Sequence, residues 1–509
     1  MSSKDLFSPQ LEPIETQHEG QVADGILDRS RFSIWSTVGI QFSVTAAPLA
    51  IPSYTVMIAG AGGSPFFFWA YLTAALGQML VAISLAELAS AYPDTSGQVY
   101  WTAAVSSPKW ARFLSYFSGA LTSFGWIFAC GGAAVLTSEF LTALGVLVNE
   151  TYRATTWQHY LIVIGVLLFA VLFNTVLIRT LPAITTFMVV FLNAAALFIF
   201  LTLMIKTNPK ASARTAFVDV INETGWESDG VVFFLATLPG LLTISLFDTA
   251  AHMAGELPQP ERQVPIVMLV NAGLSAISAL VMVIGLIFCT THPENLVEPL
   301  AGLPILQICW DAWQNKGYVI VVCLIYWVMT LNGLATMLTG CSRLIWSFTE
   351  LGSVPFRDWL SYVHPGLQVP TNAVYFSSVL AALFSLLVFG PATVLNGLFG
   401  SAVLCFSVSY ALPIGLTMVN RAKLPAHRYF NLGGLGLPVN AVALGWICII
   451  LVFSSFPIYM PVTSETMNWA PCFFGIVAVL SLANWVFVRK TYRPPKGMLL
   501  ENADSPVDG

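Results

Sequence analysis

The chain has 509 residues, 56% of them hydrophobic and 9% charged, with a formal net charge of −5 and a mean hydropathy of +0.76. A soluble globular chain carries about 25% charged residues, so this composition excludes one and indicates a polytopic membrane protein. No basic cluster marks a nucleic-acid partner. The eight cysteines are scattered without CxxC or any other metal spacing, which leaves them as small buried hydrophobes and gives no sign of a metal or cofactor. A Cys289–Cys309 disulfide within one outer loop is one pairing the order of the chain permits.

Residues 1–31 are polar and acidic and hold too little apolar surface to order themselves, so a disordered cytoplasmic segment is expected. No short apolar run with a small-residue cleavage site precedes the first span, which is therefore expected to act as the insertion signal. Twelve apolar stretches of about 20 residues or more follow, the length needed to cross the hydrocarbon. They read 34–60, 66–91, 113–147, 158–178, 183–205, 231–256, 265–289, 318–349, 372–389, 392–418, 438–459 and 468–488. The third and eighth are too long for upright spans and should tilt or project. The division expected is a transporter domain over 32–490, with repeats at about 34–205 and 231–418 and extra helices over 438–488, then a cytoplasmic tail at 491–509.

Orientation follows from the cations. With the N-terminus inside, only Arg153, Lys206, Lys210, Arg214 and Lys316 of the 21 lysines and arginines fall outside, a clear positive-inside bias. Two glycosylation sequons, Asn149-Glu-Thr and Asn222-Glu-Thr, fall in loops that this topology also places outside.

Two spans are interrupted. The first carries Pro48 and Pro52 at its middle, preceded by Ser43 and Thr45, and the sixth carries Pro239-Gly240 followed by Thr243, Ser245 and Thr249. Proline removes a helical hydrogen bond and clashes with the preceding turn. Backbone is left irregular at membrane depth only where it lines a cavity or is buried in protein. Each broken span opens a block of five, the arrangement that points to an inverted-repeat transporter with its site between the repeats. Two merely kinked structural helices would show prolines as well; the matching positions and a buried acid favour transport.

At the first break, Thr45-Ala46-Ala47-Pro48 resembles a helix start, with Thr45 near the cap and Pro48 in the first helical positions. Its N–H groups would attract a carboxylate, and the small Ser43, Ala46 and Ala47 permit close approach. The first half of the sixth span ends near Thr243–Phe247, where free carbonyls suit an ammonium group and Phe247 could add cation–π attraction. The pair of breaks suits a zwitterion or a cationic amine. Asp248, His252 and Glu256 follow at i, i+4 and i+8, on one face of the second half-helix, and are read as a proton-coupling or inner-gate stripe. An intramembrane acid is costly and marks function by default. Asp248 also stands where a helix N-cap would, and Glu256 is expected at the boundary, paired with a cytoplasmic cation. Glu87 and Glu139 are read as structural or gating, and Tyr116, Phe124, Trp126 and Trp327 as possible gate aromatics.

Three ordered motifs carry a resemblance over all twelve spans: SLAELASAYPDTSGQVYW after span two, LFDTAAHMAGELPQPERQVP in span six, and SRLIWSFTELGSVPF ending span eight. The chain resembles fungal amino acid, GABA and choline permeases of the amino acid–polyamine–organocation superfamily. The resemblance implies an all-helical membrane protein with a 5+5 inverted repeat and alternating access. It also implies unwound segments at Ser43–Ala47, which includes Val44, and at Ile244–Asp248. The glycine usual before Phe247 is here Leu246, and span five lacks the lysine that some proton-coupled relatives carry, which moves the coupling role to Asp248 or His252. The function expected is secondary active transport of an amino acid or amine with a coupled proton, in the plasma membrane. A sensor that binds without transport is the alternative, disfavoured by the short tails. No HExxH, GxSxG or nucleophile with paired acids suggests an enzyme.

Overall fold

The computed structural model describes residues 32–149, 151–390 and 392–495, with side chains at 392–396 left aside. The expectations for 1–31 and for the end of the tail lie outside these residues. Among the described residues, 12 helices are long and apolar enough to cross a membrane, and no strand forms beyond two isolated bridges. All twelve overlap the stretches read from the sequence. The first runs only Ile34–Tyr54, because separate turns at Met57–Gly60 and Gly62, with φ 96°, end it before residue 60. The sixth runs Asp229–His252 and the eleventh Gly433–Phe453, each displaced by a few residues.

Span three, Pro108–Val148, is 41 residues long and span eight, Lys316–Glu350, is 35. At 1.5 Å per residue the former reaches about 60 Å, twice the hydrocarbon thickness. These two long helices lie against each other, and spans nine and ten lie against span three. Span seven covers span two, and span one lies among spans five, seven and eight. Membrane helices approach closely where residues are small. A Cβ on Gly240 of span six would come within 2.6 Å of the Ala74 Cβ on span two, so glycine is required at that crossing.

The loops gather on two faces. On one, the bridge between Ala61 and Asn222 is built by Gly62 N–H donating to the Ile221 carbonyl at 2.8 Å, and Met460 N–H reaches the Thr224 carbonyl at 2.7 Å. The loops after spans one, five and eleven thus share the face that carries Asn222. On the opposite face, Asn420 Nδ2 donates to the Val105 carbonyl at 2.9 Å, and the Arg421 and Arg428 side chains meet Glu87. A short helix, Gln98–Val105, follows span two on this basic face. The pairing of Cys289 with Cys309 is not found: all eight cysteines are free. The Cys289 thiol turns to Met204 Sδ at 3.7 Å and the Cys309 thiol to Tyr318 Oη at 3.8 Å.

Candidate functional site

Ser33 starts the first span with a reciprocal capping box to Ser36, and helix runs to Thr45. Ala46 then adopts φ 39° and ψ 39°, its N–H closing on the Phe42 carbonyl at 2.7 Å. Pro48 cannot donate and would crowd the turn before it, so the helix restarts as Ala47–Ala50 and tightens into a 3-10 turn at Ile51–Tyr54, with Pro52. Thr45 is therefore not the cap of the second half but the last residue of the first. Its hydroxyl turns back to the Phe42 carbonyl at 3.2 Å and meets Ser275 of span seven at 3.2 Å. The capping position falls to Ala46, which has no side-chain oxygen.

The sixth span breaks in the same way. Helix Leu238–Ile244 ends at Ser245, φ −71° and ψ −171°. Leu246 takes φ 65°, and a single turn resumes at Thr249–His252. Ser245 is held from span two by Gln78 Nε2 at 2.8 Å. Between the two breaks lies a cavity of about 100 Å³. Ser43, Val44, Thr45 and Ala46 line it from span one, and Ser245 and Leu246 from span six. Its other walls, which the sequence did not reveal, are small or apolar: Ala129 and Ala133 of span three, Thr330 and Gly333 of span eight, Phe399 and Phe406 of span ten. Ala47, Ile244, Phe247 and Asp248, expected at the substrate, do not line it. Ala47 and Ile244 are buried behind the breaks, and the Phe247 ring stacks on Tyr410 with centroids 5.3 Å apart.

Asp248 is fully buried one layer toward the basic face. It makes no side-chain capping bond, and its backbone is already helical, φ −72° and ψ −12°. An extended N-cap aims its oxygen at the next turn; Asp248 instead aims at its neighbours. Its carboxylate accepts from Gln98 Nε2 at 2.7 Å, Tyr410 Oη at 2.7 Å and Trp126 Nε1 at 3.3 Å. His252 Nε2 lies 3.1 Å from the same carboxyl, while its Nδ1 faces the Thr95 carbonyl at 2.9 Å. A carbonyl only accepts, so Nδ1 must carry hydrogen. A hydrogen bond between Nε2 and the Asp248 oxygen then needs one further proton, held either as imidazolium with carboxylate or as neutral histidine with carboxylic acid. Asp248 and His252 are thus a one-proton pair. Phe406 joins this pair to the cavity: it lines the cavity, meets the Trp126 ring edge-on at 5.6 Å and stacks on Tyr410 at 6.0 Å.

Glu256 does not extend the stripe. The α-turn lasts only Thr249–His252 and passes into a 3-10 turn, Ala254–Glu256, whose tighter winding rotates residue 256 off the face. Glu256 is buried rather than at a boundary, paired with Arg343 Nε of span eight at 2.9 Å, both side chains at most 1% exposed. Glu87 takes Arg421 at 3.0 Å and Arg428 at 2.7 Å, with Leu432 N–H at 2.9 Å. Asp248, Glu256 and Glu87, each on its own partners, lie toward the basic face, and none of them lines the cavity. On the other side, one turn beyond Leu136 and Thr330, the buried rings of Phe140 and Tyr326 stack at 5.1 Å. Glu139 and Trp327 are not among the cavity residues, and Tyr116 and Phe124 line a separate apolar space beside spans eight and twelve.

Asn149 and Thr151 of the first sequon are exposed. Asn222 of the second is half-buried, its Nδ2 donating to the Trp226 carbonyl and to Asp229, both at 3.0 Å.

Gln98, Tyr410 and Arg343 went unrecognised as site residues. Gln98 lies inside the motif after span two, and Arg343 is a charge within the predicted eighth span, which demands a buried acid. Tyr410 gave no signal beyond being a phenol in an apolar span.

Twelve apolar helices around a cavity at two interrupted spans define a multi-pass membrane transporter. The family model for amino acid permeases matches residues 32–479, and the chain belongs to that family. It is 28% identical over 496 residues to the choline transporter of Saccharomyces cerevisiae, an alignment covering 96% of this chain and 88% of the other. It is 26% identical to amino-acid permease 2 of Neurospora crassa, over 90% of this chain and 84% of that one. Amino-acid permease BAT1 of Arabidopsis thaliana is 24% identical, over 89% and 91%. The chain is a transmembrane amino acid or amine transporter rather than an enzyme.

Proposed function

We propose that this protein is a proton-coupled secondary transporter of a small amino acid or amine, working by alternating access across the plasma membrane with both termini cytoplasmic. The substrate sits in the cavity between the two breaks, against Ser43–Ala46 and Ser245–Leu246. The coupling proton is the one shared by Asp248 and His252. The geometry that supports the reading is a buried acid and base, Asp248 and His252, held at 3.1 Å and joined through Phe406 to the cavity, so that substrate occupancy would shift where a shared proton lies. Relatives named choline transporter and amino-acid permease support the substrate class. The Lys and Arg distribution supports a cytoplasmic basic face, with Glu87 and the Glu256–Arg343 pair as its gate. Asn149, exposed in the opposite loop, is the glycosylation site the geometry favours over Asn222.

The test is uptake of labelled amines and amino acids by a permease-deficient host across external pH 5 to 8. Accumulation that rises with the inward proton gradient and collapses with a protonophore supports the reading. Accumulation indifferent to both removes the proton, and binding without uptake removes transport.

A further inference from the structure

We propose that a second cavity, at the basic ends of spans three, eight and twelve, holds an acyl chain of an anionic phospholipid from the leaflet on that face, the cytoplasmic leaflet in the orientation proposed above. This cavity measures about 250 Å³ and is larger than the one between the breaks. Span three supplies Phe124 and Ile127, span nine Phe376 and Leu380, and span twelve Leu480 and Asn484, with the last two turns of span eight behind them. No charged side chain is among the described residues lining it. Span nine packs on spans three, four and eight, and span twelve on spans three and ten, which leaves the slot between nine and twelve to the cavity. Leu480 on its wall is 52% exposed, so the cavity opens sideways to the bilayer. An apolar cavity stays dry of water, and the solvent at this depth is hydrocarbon.

Two further observations point to the head group. The Ser353 hydroxyl lines the cavity and is fully buried, yet it has no partner among the described residues. Its backbone carbonyl accepts from Asn484 Nδ2 at 2.9 Å, and the same amide donates to Tyr116 Oη at 2.8 Å, which fixes that corner of the wall. A buried hydroxyl without a hydrogen bond is costly; a glycerol ester carbonyl would accept from it, and a bare alkane would not. The second observation is a cluster of cations. Lys109 and Arg112 open span three, Arg489, Lys490 and Arg493 follow the end of span twelve, and Arg112 ties the two groups by donating to the Arg489 and Tyr492 carbonyls. All five are exposed, and none forms a salt bridge among the described residues. Arg112 stands one turn from Tyr116, and Arg489 lies about 8 Å along the helix from Asn484, so one phospholipid can set its phosphate among the cations and its ester at Ser353. The positive-inside bias places cations anywhere on this face; here they gather, without acids, beside a cavity open to lipid. Each basic residue at an anionic lipid surface is worth roughly fivefold in affinity. Spans three and eight wall both cavities, so a lipid here braces the helices on which the substrate site is built.

The test is photolabelling of the purified full-length protein in detergent micelles. Phosphatidylglycerol with a diazirine in one acyl chain is compared with phosphatidylcholine carrying the same chains, and labelled peptides are mapped by mass spectrometry. The expected result is label at Phe376–Leu380 and Leu480–Asn484, stronger with phosphatidylglycerol by about tenfold or more. The triple change Arg489→Gln, Lys490→Gln, Arg493→Gln leaves the cavity lining untouched and should bring phosphatidylglycerol down to the level of phosphatidylcholine. Ser353→Ala should weaken labelling by both lipids alike. Label spread evenly over the lipid-facing spans, or missing from those two segments, overturns the assignment of the cavity. Equal labelling of the native chain by the two lipids, or selectivity that survives the triple change, overturns the assignment of the head group. None of these readouts depends on transport, so the proposal stands or falls apart from the substrate and the proton.

Discussion

Leu246 holds a backbone conformation, φ 65°, that costs an L-residue roughly 1–2 kcal/mol and glycine almost nothing. The side chain is 8% exposed and part of the apolar core, and truncating a buried leucine to alanine costs about 2–5 kcal/mol. The packing loss exceeds the backbone relief, so both Leu246→Ala and Leu246→Gly should be less stable than the native chain. Their order carries the information. In an ordinary helix glycine is less stable than alanine by about 0.5–1 kcal/mol; at this position Leu246→Gly should instead be the more stable of the two, by about 1 kcal/mol. Unfolding of the purified variants in mixed SDS micelles measures the difference. An alanine variant as stable as the glycine variant, or more so, would refute a left-handed residue at 246 and the break built on it. Either variant should also enlarge the cavity, which Leu246 lines, and admit bulkier ligands.

Asp248→Asn keeps shape and removes the shared proton; normal surface delivery is expected, with uphill uptake largely lost and residual exchange insensitive to pH, and a native pH response would reduce Asp248 to a structural role. Ala46→Leu should raise KM or abolish uptake at near-normal surface level, whereas unchanged uptake would move the substrate elsewhere. Arg343→Leu removes the cation paired with the buried Glu256 and should cost about 3–5 kcal/mol, while the double change Arg343→Leu, Glu256→Leu should recover much of it; equal losses in thermal melts would contradict the pairing. Endoglycosidase should sharpen the band of the native protein and of Asn222→Gln but not that of Asn149→Gln, and a cytoplasmic location of the 149–155 loop by protease access would reverse the orientation.

Span number and rough bounds were legible because hydrocarbon imposes a length that apolar runs must meet. The first break was legible because Pro48 disfavours unbroken helix through the turn before it, and the second because Pro239-Gly240 and the small polar Thr243, Ser245 and Thr249 follow one another in an apolar span, although Pro239 itself opens the helix Leu238–Ile244 that precedes the break. What escaped the sequence was tertiary. Pro48 alone does not say whether Thr45 ends one half-helix or starts the next; the left-handed Ala46 decides it. The sequence marked Asp248 as a functional acid but left an N-cap as the alternative, because capping is a local property and its partners Gln98, Trp126 and Tyr410 stand 122 or more residues away in the chain. The winding change after His252 turned Glu256 from a member of the stripe into the partner of Arg343, and no spacing rule signals a switch from α to 3-10 turns. The far walls of the cavity are alanines, glycines and phenylalanines, residue types too common in membrane helices to stand out.

That no charged side chain is among the described residues lining the cavity has an electrical consequence. With no counter-ion travelling beside it, a bound cation would carry its own full charge through the membrane field. An inside-negative potential of 100 mV is worth about 2.3 kcal/mol for each elementary charge moved, equivalent to about fifty-fold accumulation. A neutral or zwitterionic ligand in the same cavity would gain nothing from that source through its own charge and would draw on it only through the coupled proton.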